Sequence, residues 1–241
     1  MFVSSMYFFK EVAVIVSRSC TWKRRMIRCV TTRIRMRELP HVFAGQGTVL
    51  SAHIARLSVL YEDLRIEVLA TAEQSIACLD VTDETYRRHY FIRRSIATVV
   101  EFAEALRLLN GSNEFACKVK PHFIPSMIEC WDSAVRFFRD QEPFLKLVRN
   151  DIGGHFGLQS AEYAIAKADP LTPLKMEVNE KGNMFLHFAG EIAAAATMRH
   201  LEGPTVEEGF AKLMKIVTTA FGHATSSVHC IGVAYLWPRF G

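Results

Sequence analysis

Residues 147–157 read LVRNDIGGHFG, and this stretch gathers the residue types from which acid–base chemistry on an anion can be built. Arg149 offers a planar fork of donors that matches phosphate oxygens. His155 has an ordinary pKa near 6.5, so it can take or give a proton close to neutral pH. Asn150 adds an amide able to orient a phosphate or the imidazole. Between the cation and the imidazole stand Gly153 and Gly154.

The spacing alone keeps the two groups apart. On a helix over 143–155 advancing about 100° per residue, Leu145, Val148 and Ile152 fall within roughly 60° of one another and form the core stripe. Arg149 and His155 then lie on opposite shoulders of that stripe. Six residues of straight helix separate them by about 9 Å along the axis and roughly 120° around it. Two routes bring them together. The glycine pair lets the chain leave the helix and turn His155 back towards Arg149, or two subunits face their motifs across a two-fold axis. A plainer alternative stays open: the glycines only cap a helix, His155 sits favourably near the negative end of the helix dipole, and Arg149 pairs with Asp151 or a distant glutamate.

The segment RNDIGGH resembles the R-x4-6-H signature of the HEPN superfamily, in which a polar residue such as Asn150 follows the arginine. The resemblance implies an all-α bundle that dimerises with the motif near the interface, often a ribonuclease of toxin or defence systems that needs no metal. It implies catalytic roles for Arg149 and His155 and substrate binding by Asn150. It also implies RNA as substrate, a homodimer, and a protein antitoxin as a further partner. A non-catalytic helical module binding a nucleotide or a protein partner is the alternative function.

Other chemistries find little foothold. The six cysteines include no C-x-x-C pair, which speaks against a structural zinc site and for reduced, cytosolic thiols. No H-x3-H or H-E-x-x-H spacing marks a metal site, and His223, His229 and Cys230 read as helix surface. There is no nucleophile elbow and no glycine-rich phosphate loop, so no cofactor is expected. Phe137, Phe138, Phe144 and Phe156 read as core rather than as a stacking platform. Arg87–Arg88 and Arg93–Arg94 read as the solvated face of a helix, with an RNA path as the alternative.

The formal charge of +4 is unevenly spread. Residues 1–40 hold nine Lys/Arg against Glu11 and Glu38, a balance of +7; the remaining 20 basic and 23 acidic residues give −3. Residues 1–40 therefore form a basic N-terminal extension without lasting periodicity. A targeting peptide, a phosphate-binding arm, and upstream sequence ahead of a true start at Met36 all fit, the last best. With no run of about 18 apolar residues, the expectation is a soluble, cytoplasmic protein without a membrane partner.

A helical domain over 41–241 must position the motif. The segment 48–72 places Leu50, Ile54, Leu57, Tyr61, Leu64 and Val68 at helical spacing, and 81–112 follows with a Thr82/Asp83 cap, a long periodic body and a stop at Gly111. A loop between Pro121 and Pro125 leads to a third helix over 126–141, and Pro143 opens a fourth that carries the motif. A short helix follows to Pro170. Alternation at Leu174, Met176, Val178 and again at Met184, Leu186, Phe188 predicts one β-hairpin inserted near 174–188. Helices then resume over 190–201 and from Thr205. The expected class is all-α, a helical bundle with that single insertion.

Overall fold

The computed structural model describes residues 48–72, 84–153, 156–167, 176–178, 180, 182, 184–186, 188–201, 206–236 and 238. The basic extension, the Thr82/Asp83 cap, Gly154 and His155 lie outside the described residues.

Helix α1, Thr48–Ala72, matches its periodic segment end to end. Its apolar stripe of Leu50, Ile54, Leu57, Leu60 and Leu64 is buried. Along it lies α2, Glu84–Asn110, which contributes Ile92, Ile96, Val99, Phe102, Leu106 and Leu109 to the same core. These side chains recur every three or four residues on both helices, so each presents a continuous ridge to the other.

After α2 the chain turns at Gly111 into a short helix α3, Asn113–Lys118, whose Ser112 cap accepts a hydrogen bond from the Phe115 backbone N–H. The loop expected between the prolines contains a 3-10 turn at Lys120–His122. Phe115, Phe123 and Trp131 meet here, with the Phe115 and Trp131 rings 4.7 Å apart. Trp131 Nε1 donates to Asn110 Oδ1 at 2.8 Å, which satisfies the one polar group of a fully buried indole.

The expected third and fourth helices are one. Helix α4 runs unbroken from Pro125 to Val148 with Pro143 inside it. Met127, Trp131, Ala134, Phe138, Leu145 and Val148 form a single buried stripe across the proline, while Pro143 itself is exposed. The ring removes one backbone hydrogen bond on the solvent side, where helices already curve and their bonds lengthen. Continuous burial on the opposite face outweighs that loss.

Helix α5, Leu158–Lys167, and α6, Phe188–Thr197, pack against each other. A 3-10 turn, Met198–His200, extends α6. The closing helix α7, Val206–Ile231, ends in a π-helical turn at Gly232–Leu236 and lies against α1 and α4. All-α is thus the class of the fold, with seven α-helices among the described residues.

The inserted β-hairpin does not hold as an element of this bundle. What pairs is three residues a side, Met176–Val178 with Met184–Leu186, antiparallel with Met176 opposite Leu186. The alternating side chains that suggested a buried face, Met176, Val178, Met184 and Leu186, are all exposed. The periodicity was real but had no core behind it, and an isolated two-stranded pair has little stability of its own. No described helix is long and apolar enough to cross a membrane.

Candidate functional site

The motif begins where α4 stops being α-helical. Leu145, Val148 and Ile152 are buried, as the wheel requires, but from Arg149 to Gly153 the backbone forms a π-helical turn. The Arg149 backbone N–H reaches the Leu145 and Lys146 carbonyls, four and three residues back, so helical bonding continues up to Arg149. One extra residue per turn rotates the side chains that follow out of α-helical register. The distortion therefore comes at the arginine, earlier than the glycine pair on which the sequence placed it.

Arg149 is half-buried and Asn150 exposed. The guanidinium gives Nε and Nη2 to one acceptor, the Asn150 side-chain oxygen, at 3.1 and 2.9 Å. Among the described residues it meets no carboxylate. Pairing of Arg149 with Asp151, one of the readings of the motif, is not what forms: among the described residues a neutral amide holds the cation.

Asp151 is engaged elsewhere. Its Oδ2 lies 2.5 Å from His200 Nε2 and 3.2 Å from Arg199 Nη1, with Oδ1 3.3 Å from the same Nη1. Arg199 Nη2 in turn donates to Gln159 Oε1 at 3.3 Å. The Asp151 main-chain oxygen accepts from the Gly157 N–H at 3.1 Å, and Gly157 then caps α5 by accepting from Ser160 and Ala161. A Cβ at Gly157 would stand 3.3 Å from Asp151 Oδ1 and 3.4 Å from its main-chain oxygen, so the chain folds back tightly over the carboxylate. Burial alone would push the Asp151 carboxyl up; the nearby Ser160 hydroxyl, His200 and Arg199 outweigh it and hold the group below the ordinary carboxylate range.

This network joins the π-turn, α5 and the end of α6. It consists of residues that sequence reading missed: Arg199, His200 and Gln159. The only available signal was Asp151 itself, an acid near a core stripe that needed a partner. Nothing local pointed to a partner 48 or 49 positions away.

The other sequence assignments divide. Phe138 is buried; Phe137 and Phe144 pack against the core. Phe156 departs from that reading: it is 37% exposed and its ring faces the Arg93 guanidinium from 5.8 Å. Arg87 is not on a solvated face either, since it is buried and donates to the Ala70 main-chain oxygen at 2.7 Å. Arg94 is exposed and reaches Glu67 at 3.6 Å. His223 packs on the Phe137 ring, 4.7 Å between centroids, and burial pulls its pKa down. Glu101 and Glu104 on α2 face solvent. Comparison of the chain with family models, with curated proteins and with solved structures gives no match.

Proposed function

We propose that this chain is a metal-independent endoribonuclease of HEPN type. The observation that supports the reading best is the division of charge at the π-turn. Asp151 pairs with Arg199 and bonds His200, while Arg149, two residues earlier, meets only the amide of Asn150 among the described residues. A cation that meets no carboxylate among the described residues suits an incoming phosphate.

In the proposed reaction the ribose 2′-OH attacks the adjacent phosphorus as its proton passes to a base. The P–O5′ bond breaks and the departing 5′-oxygen gains a proton. His155 serves one of these two transfers, having the right pKa for either. Arg149 stabilises the charge that accumulates on the phosphorane-like transition state. Asn150 fixes the orientation of that guanidinium and offers its amide N–H groups to the phosphate. The products are a 2′,3′-cyclic phosphate and a 5′-hydroxyl end.

A homodimer with the motif near its interface belongs to the same proposal. Its support is an apolar pair on α5, Leu158 and Ile165, 76% and 64% exposed. Seven residues apart, they share one helical face immediately after the motif. A protein antitoxin and a cytoplasmic setting rest on the resemblance of RNDIGGH alone.

The test is incubation of the purified protein with total RNA in chelator, beside Arg149→Ala and His155→Ala. Cleavage that leaves cyclic phosphate ends and is lost in both variants is the expected result. Cleavage that persists in both assigns the activity to other groups. RNA binding without cleavage favours the alternative, a non-catalytic module holding a nucleotide.

A further inference from the structure

One face of α2 continues beyond the core that buries it. Ala97 and Val100 on this face are buried. At about 100° per residue Arg93, Tyr90 and Tyr86 fall in the same arc of roughly 80°, yet Tyr86 is 42% exposed and Tyr90 is exposed as well. The Arg93 guanidinium carbon lies 5.9 Å from the Tyr86 ring centroid and 5.8 Å from that of Phe156. Two elements thus bracket one cation between aromatic rings, and Phe156 directly follows His155 in the chain.

One donor of this cation is also unsatisfied. Arg93 Nε is buried without a hydrogen-bond partner, and no carboxylate among the described residues neutralises the side chain. Its neighbour Arg94 differs, being directed at Glu67. Leaving a buried donor unpaired is unfavourable unless something completes it. Partly exposed aromatic rings beside a guanidinium that meets no carboxylate among the described residues match what a nucleotide presents, a π face with an anion attached.

We propose that Tyr86, Arg93 and Phe156 form a subsite for one nucleotide of single-stranded RNA, its base on the aromatic rings and its phosphate on the Arg93 guanidinium. The subsite deepens the endoribonuclease reading and rests on it, for it would hold the strand at Phe156, the residue that follows His155 in the chain. Stacking of this kind tolerates any base, so the subsite contributes affinity and register rather than sequence choice.

The experiment measures anisotropy of a labelled single-stranded 2′-O-methyl oligoribonucleotide, which lacks a free 2′-OH and is bound without being cut. Arg93→Gln and Phe156→Leu should each weaken binding roughly tenfold, and Arg93→Gln should also flatten the salt dependence. Loss of packing alone would not change that slope. Tyr86→Leu, at the most exposed of the three side chains, carries the test if another variant fails to fold. Absence of wild-type binding, or binding within about twofold of wild type in every folded variant, overturns the proposal. Binding that depends on these residues without cleavage of ordinary RNA keeps the subsite and removes the nuclease reading. Cleavage with unchanged binding does the reverse.

Discussion

Replacing Asp151 with Asn should destabilise the fold by about 2 kcal/mol near neutral pH. Removing one partner from a fully buried ion pair typically costs about 3–5 kcal/mol, whereas exposed pairs are worth roughly 0–1. The Asp151 side chain is 15% and Arg199 28% exposed, which places the cluster between those limits. Asn keeps the shape and one acceptor, but it leaves the Arg199 charge without its counter-ion and weakens the bond to His200. For a chain of this length about 2 kcal/mol corresponds to a fall in Tm of roughly 4–8 °C.

The sign with pH is fixed by the direction of the shift. Asp151 titrates below its unfolded value, so its contribution is complete above about pH 4 and disappears as pH falls through the lowered folded value. Urea unfolding followed by circular dichroism at about pH 7 and about pH 3 should show a gap between wild type and Asp151→Asn that closes in acid. A cycle with Arg199→Met should recover much of the loss, because removing both charges leaves neither unpaired. A gap below about 0.5 kcal/mol at neutral pH, or one of unchanged size in acid, would refute the reasoning.

Arg149→Ala should change stability by less than about 0.5 kcal/mol in the same unfolding assay, since among the described residues only an adjacent amide holds the side chain. Glu67 is buried and its pKa is raised by that burial; its favourable contribution is present in acid and lost as pH rises through the folded value. Glu67→Gln should therefore match or exceed wild-type stability near pH 7, by up to about 1 kcal/mol, in urea titration. His223 titrates below its ordinary value because it is buried, so wild type loses stability as pH falls from about 6.5 towards the folded value. His223→Leu should flatten that part of the stability curve. Leu158→Lys combined with Ile165→Lys should convert a dimer to monomer by light scattering, and an unchanged mass would remove the α5 face from the interface.

What the sequence made legible follows from the range of each signal. Helix α1 was readable to its last residue because nothing interrupts the spacing of Leu50 through Val68. Pro143 misled because a proline inside a helix and one in a first turn look alike in one dimension. What decides between them is that Phe138 and Leu145 face the same core on either side of it. The strands near 174–188 misled in the opposite sense, since alternation promises a buried face only where a core exists to receive it. At the motif, the stripe and the polar identity of Arg149 and Asn150 were visible. The π-turn was not, because the same side chains suit either helical form, and α2 and α6, which pack against it, lie far from it in sequence. The partners of Asp151 were invisible for the plainest reason, since their meeting depends on the tertiary fold.

The different surroundings of Asp151, Arg149 and Arg93 explain why charge counting along the chain says little about the site. Residues 41–241 are slightly acidic, which would discourage RNA if the charge were spread evenly. Asp151 contributes to that acidity on paper, but it lies within hydrogen-bonding reach of Arg199 and His200 and projects little field towards a ligand. Arg149 and Arg93 count as two of many cations, but neither meets a carboxylate among the described residues, and Arg93 has a buried Nε that solvent does not serve. Fields in partly dry surroundings decay far less than those of exposed charges. Binding that depends on these two side chains should therefore weaken with salt less steeply than association through residues 1–40, which hold nine Lys/Arg. A salt titration of the 2′-O-methyl oligonucleotide on the chain truncated before Met36, beside the full chain, reads the difference directly: a steep loss confined to the full chain supports this placement of charge, and equal slopes refute it.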